Sequence, residues 1–152
     1  IGILVGSHRY LSQEISEISF RSYIREHAPD FHLLEPIINL DDERIAYEAV
    51  TDMLGSNPDL VGIYVSGGGQ HGLVGALRDE GAGRGVIAVC NELTAPTKSA
   101  LIDGTIDMVL GTPVAAMAAR AVELMSRAVA APRRESFGQV LFPADIFISE
   151  NI

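Results

Sequence analysis

A chain of 152 residues with 47% hydrophobic content is one domain or one large lobe, long enough to bury a core without staples, and that content excludes general disorder. Eleven basic residues against 20 acidic give a net charge of −9, a surface that repels nucleic acid; Arg133 and Arg134 form the one tight basic pair, so any contact with DNA belongs to another segment. A lone cysteine, Cys90, excludes an intrachain disulfide framework and is compatible with the cytosol, and no apolar run approaches the ~20 residues that span a bilayer.

Ile1 to Gly6 reads as a strand. The chain opens inside that pattern with no initiator Met and no lead-in, so the sequence is expected to be a piece of a longer protein. Ser12 to about His27 follows as a helix, with Ile15, Ile18, Tyr23 and Ile24 near helical spacing and Pro29 as a stop. Phe31 to Leu34 is a short strand that could run on to Ile38. Asp41 or Asp42 opens an amphipathic helix with Ile45, Ala49 and Met53 inward, ended by Gly55 and the Ser56-Asn57-Pro58 turn.

A third apolar run, Val61 to Val65, breaks at Ser66 into Gly67, Gly68 and Gly69. A helix opens at Gln70, carries Leu73, Val74 and Leu77 on one face, and closes at Gly81. The fourth strand, Val86 to Cys90, ends in Asn91 and Glu92, and buries Cys90 as a small core hydrophobe. Thr94 caps a short helix with Pro96 in its first turn, reaching Ile102. After the Asp103-Gly104 turn, Ile106 to Leu110 is the fifth strand. Thr112 and Pro113 open a helix to about Ala130, Pro132 to Gly138 is a loop, and Gln139 to Ile148 contains a last strand.

Strands alternating with helices predict an α/β fold: a doubly wound, mostly parallel sheet of order 2-1-3-4-5 with helices on both faces. The crossovers are right-handed, and in such sheets small molecules bind outside the carboxyl ends of the strands. That edge collects Ser7, His8 and Arg9 after the first strand, Gly67 to Gln70 after the third, and Asn91 with Glu92 after the fourth. The helix from Pro113 to Ala130 departs from the rest. It is apolar nearly all round, relieved only by Arg120, Glu123, Ser126 and Arg127, and such a helix expects protein on more than one side.

Two motifs at the edge admit more than one reading. Gly67-Gly68-Gly69-Gln70-His71-Gly72 satisfies G-x-G-x-x-G between a strand and a helix, with Glu92 about twenty residues on, which is formally the dinucleotide fingerprint. The alternative is a tight turn that needs positive φ and close backbone approach, and the motif's place on the third strand rather than the first favours the turn. Asn91 and Glu92 suit a hydroxyl-bearing ligand, since one carboxylate accepts from two adjacent hydroxyls; they could instead cap the short helix that follows. The histidines His8, His27, His32 and His71 have no metal-ligand spacing. There is no nucleophile elbow and no phosphate-loop lysine; Ser66 reads as a turn residue, and Asp145 and Glu150 have no evident partner. No cofactor is implied.

Three stretches resemble the effector-binding core of LacI/GalR-type transcriptional regulators, which share the type I periplasmic binding protein fold with sugar-binding transport proteins. Gln13 to Ile24 is similar to the first helix of the family's C-terminal lobe. Asp59 to Leu77 is similar to its strand, polar turn and helix, with Gly75-Ala76-Leu77 in place. Val86 to Pro113, VIAVCNELTAPTKSALIDGTIDMVLGTP, is the most specific of the three. The resemblance implies one lobe, the C-terminal half of the core, without the helix-turn-helix headpiece or the first lobe. Ser16 stands where the family usually has a ligand-binding arginine, Gly69 and Gln70 where an asparagine is common, Glu92 at the usual aspartate, and Gly111 where glutamine is frequent. It therefore implies a non-enzymatic sensing domain for a neutral or cationic polyhydroxylated effector, bound by Ser16, Gln70 and Glu92 with Asn91 and His8. It further implies a cytoplasmic homodimer that reaches DNA only through its headpiece, and a Pro113 to Ala130 helix that packs on the first lobe. A periplasmic sugar-binding transport component is the nearest competitor, and a nucleotide-dependent α/β enzyme the more distant one.

Overall fold

The computed structural model describes residues 1–80, 84–131 and 138–152. The predicted helix stop at Gly81 and the loop opening at Pro132, with Arg133 and Arg134, lie outside the described residues. Strands β1 (Gly2–Val5), β2 (Ile37–Ile38), β3 (Gly62–Ser66), β4 (Ile87–Asn91), β5 (Met108–Gly111) and β6 (Asp145–Phe147) form one sheet of order β2-β1-β3-β4-β5-β6. The first five run parallel in the predicted order; β6 adds an antiparallel edge, pairing Gly111 with Asp145.

Among the described residues five α-helices connect the strands: α1 (Leu11–His27), α2 (Glu43–Ser56), α3 (Gln70–Glu80), α4 (Ala95–Ile102) and α5 (Val114–Ala130). The start of α2 is fixed by Asp42, whose carboxylate accepts from the amide of Ile45. The start of α4 is a reciprocal box in which Thr94 and Thr97 each accept from the other's backbone amide. Helices α2, α3 and α4 cover one face of the sheet. The main core lies under them, with Val50, Leu54, Leu73, Leu77 and Leu101 against Leu4, Ile63, Val65 and Val109. Cys90 is fully buried in that core, and burial pushes its thiol up to about 12, so it stays protonated at neutral pH.

The other face is covered only in part. Helix α1 turns Phe20 onto Tyr64, with ring centroids 4.7 Å apart, and buries Glu17, whose charge is met by Arg21 at 2.7 Å. The apolar spacing located this helix correctly but gave the wrong face: Ile15, Ile18 and Tyr23 are 52%, 54% and 61% exposed. Beside Phe20 and Ile24 an apolar groove of about 360 Å³ remains open over Val61, Ile63, Ile87 and Val89. Helix α5 buries none of its residues, and Val114, Val122, Met125 and Val129 are exposed. Two boundaries also move. The second strand forms at Ile37–Ile38, where it pairs with Leu4 and Val5, rather than at Phe31 to Leu34, of which Leu34 alone donates to the carbonyl of Ile1. Pro113 takes the cap position of α5, while Thr112 turns to Glu92.

Gly72 lets α3 lie close against α2, since an added Cβ there would lie 2.1 Å from the carbonyl oxygen of Glu43. Backbone cannot yield as a side chain does, so Gly72→Ala is expected to destabilise by at least about 2 kcal/mol and to lower the melting temperature by roughly 4–8 °C. Gly55, in the last turn of α2, has open space around its Cβ position. Gly55→Ala should raise stability by up to about 1 kcal/mol. Thermal denaturation of the two variants checks both signs.

Candidate functional site

The carboxyl edge of the sheet divides into a sealed part and an open part. The sealed part joins the ends of β1, β2 and β3. Asp41, in the left-handed region at φ 58°, accepts from the amide of Gly68 at 2.6 Å and from the side-chain amide of Gln13 at 3.3 Å. Gln13 accepts from the amide of Ser7 at 2.6 Å, and Ser66 donates to the carbonyl of Gln13. Asn39, fully buried, donates to the carbonyl of Gly68 and accepts from the amide of Asp41. The triple glycine is therefore a place of close approach: a Cβ at Gly67, Gly68 or Gly69 would meet Gln13, Asp41 or Asn39 within 2.7 Å. The Gly68 amide, one of the donors that a dinucleotide phosphate would need, is already taken by the Asp41 carboxylate.

The open part lies over β3, β4 and β5. A cleft of about 340 Å³ is lined by Ser16, Tyr64, Asn91, Glu92, Thr112 and Met117, among others, and the segment from Val140 to Ala144 closes one side. Glu92 holds a left-handed backbone, φ 69°, which costs a non-glycine residue of the order of 1–3 kcal/mol and is tolerated where surrounding bonds impose it. Here its amide donates to the carbonyl of Leu110 at 2.8 Å and its carboxylate accepts from the Thr112 hydroxyl at 2.6 Å. Asn91 accepts from the Tyr64 hydroxyl at 3.3 Å. Neither side chain caps α4, since Thr94 and Thr97 cap it.

Of the residues expected at a ligand, Ser16, Asn91 and Glu92 line this cleft. Gln70 adjoins it: its side-chain amide donates to the carbonyls of Gly67 and Asn91 at 2.8 and 2.9 Å, so it fixes the strand end that carries Asn91. His8 is exposed on the loop after β1 and is not among the lining residues. Tyr64 and Thr112 line the cleft without having been singled out as ligand residues. Tyr64 was hidden in an apolar strand, and Thr112 looked like a helix cap. Among the described residues no group of three or more His, Cys, Asp and Glu side chains could hold a metal ion, and no helix is long and apolar enough to cross a membrane.

Residues 1–132 match the model of the periplasmic binding protein domain family. No curated protein matches the chain. Among solved structures, the arabinose-binding protein AraP of Geobacillus stearothermophilus superposes with a TM-score of 0.85 at 16% identity, covering 98% of this chain and 54% of that one. The glucose-galactose binding protein GanP of the same organism gives 0.81 at 16%, covering 99% and 53%. A periplasmic solute-binding protein of an ABC transporter from Actinobacillus succinogenes, solved with bound D-allose, gives 0.84 at 17%, covering 98% and 51%. The chain thus spans about half the length of the structures it matches.

Removing the carboxylate at the glycine turn should loosen the edge without creating a phosphate site. Asp41→Ala is expected to cost roughly 1–3 kcal/mol by removing the charge-assisted hydrogen bond to the Gly68 amide. Calorimetry with ATP and NAD should show no binding to either the wild-type chain or the variant.

Proposed function

The chain belongs to the periplasmic binding protein domain family, and on that footing we propose that it is one lobe of a two-lobed, non-enzymatic binding domain for a small polyhydroxylated ligand. The observation that carries this reading is the cleft at the carboxyl ends of β3, β4 and β5, where Ser16, Asn91, Glu92 and Thr112 stand beside the apolar Met117 and Leu110. Hydroxyls of a sugar ring are met by the polar group, and its C–H faces by the apolar one. Three of the matched structures are described as binding, or hold, arabinose, glucose-galactose and D-allose, in keeping with that chemistry. In this reading α5 and the open groove on the sheet are surfaces for the remaining half of the protein.

The favoured role is the effector domain of a LacI-type transcriptional regulator, on the likeness of Val86 to Pro113 to that family. Binding would draw the lobes together and shift the population of DNA-competent, cytoplasmic homodimers, with DNA held by a headpiece outside this chain. The second reading is the sugar receptor of an ABC transporter, which the descriptions of the matched structures favour.

Glu92→Ala in the full-length protein separates these roles and tests the site. In a regulator it should abolish the sugar-dependent change in a mobility-shift assay and leave operator binding intact. An unaltered sugar response would remove Glu92 from the site, and a full-length protein without DNA binding would favour the transport role. The 152-residue chain alone should bind monosaccharides weakly or undetectably, and micromolar affinity in calorimetry would contradict a cleft shared between lobes.

A further inference from the structure

The hydroxyl protons of the cleft are already committed. Ser16 donates to the carbonyl of Ser12 at 2.9 Å, Tyr64 to Asn91 at 3.3 Å, and Thr112 to Glu92 at 2.6 Å. What the lining side chains still offer a ligand is mostly acceptors: the second carboxylate oxygen of Glu92 and the remaining lone pairs of the three hydroxyls. Among the described lining residues the Asn91 side-chain amide is the one side-chain donor left. The charge has the same sign. Glu92 is the only charged side chain lining the cleft among the described residues, and strand register sets Asp145 directly opposite the lining Gly111. The chain as a whole carries −9.

An acceptor-rich, negatively charged wall is complementary to a ligand that brings donors and positive charge. A protonated amine has three N–H donors and no acceptor, whereas a carboxylate or phosphate has acceptors only. We propose that this half of the cleft selects a polyhydroxylated ligand bearing a protonated amine, of the amino-sugar class, over its neutral parent, and discriminates against the anionic analogue. Glu92 is the specificity-determining residue. Thr112 holds one of its oxygens and leaves the other for the ammonium group, a charge-assisted bond of the stronger kind.

This inference rests on the sugar-binding reading above, and its test keeps the two apart. The full-length protein is titrated calorimetrically at neutral pH with glucosamine, glucose and glucuronate, and with galactosamine, galactose and galacturonate. For at least one series the amine should bind about tenfold or more tighter than the parent sugar, and the uronate about tenfold or more weaker. Glu92→Gln, which keeps the shape and removes the charge, should bring amine and parent within roughly threefold of each other. High salt should narrow the same gap in the wild-type protein. Neutral or anionic sugars binding as well as the amine would overturn the inference and leave the sugar reading standing. So would an amine preference that survives Glu92→Gln unchanged. If none of the six binds, the sugar reading falls and the inference with it.

Discussion

The Asp41 carboxylate seated on the triple glycine decides how the rest of the edge can be used. Three loops leave the sheet side by side after β1, β2 and β3, each with free backbone amides. Asp41, on the loop after β2 and with a left-handed backbone, accepts from the Gly68 amide in the loop after β3 and draws Gln13 of α1 into the same network. Leu40 beside it is left-handed as well, at φ 57°. Two consecutive residues of that kind persist only because the Asn39 and Asp41 bonds specify the turn. With this side of the edge closed, the free surface falls over β4 and β5, where Asn91, Glu92 and Thr112 line a cleft.

Most of the fold was legible because its signals were local. Glycines and prolines punctuate the chain at element boundaries, Thr94 and Asp42 mark helix starts, and the apolar runs of β3, β4 and β5 are continuous. The inward face of α1 was not legible. Its isoleucines have good spacing, yet Gln13, Glu17 and Phe20 face the sheet, because loop bonding at Gln13 and the tilted ring contact of Phe20 with Tyr64 fix the rotation of the helix. The second strand lies later than Phe31 to Leu34 because that stretch meets the first-strand segment only at Ile1, through His32 and Leu34, and the ladder with β1 begins at Ile37.

The candidate site was legible by position rather than by contact. Strand ends could be counted, so Asn91 and Glu92 could be set at the carboxyl edge, and the resemblance added Ser16. What each side chain does there depends on neighbours far away in sequence. Gln70 holds the Asn91 carbonyl across 21 positions, and Thr112 reaches Glu92 across 20. Tyr64 joins the cleft through its hydroxyl while its ring belongs to the core under α1. A polar tip on an apolar body is invisible to a hydrophobicity pattern.

Glu92 stands where two demands meet. Its backbone closes the register of β4 against β5 through the Leu110 carbonyl, and its side chain holds the residue immediately before Pro113 and α5. A ligand bonded to the free oxygen of Glu92 would leave the Thr112 bond in place, so a single carboxylate would join the cleft to the segment leading into α5. That helix has its apolar residues exposed, and in the two-lobed protein proposed above they would rest on the other lobe. A left-handed carboxylate residue on the wall of the cleft, bonded to the lead-in of that helix, would then stand between the proposed ligand and the surface that meets the other lobe.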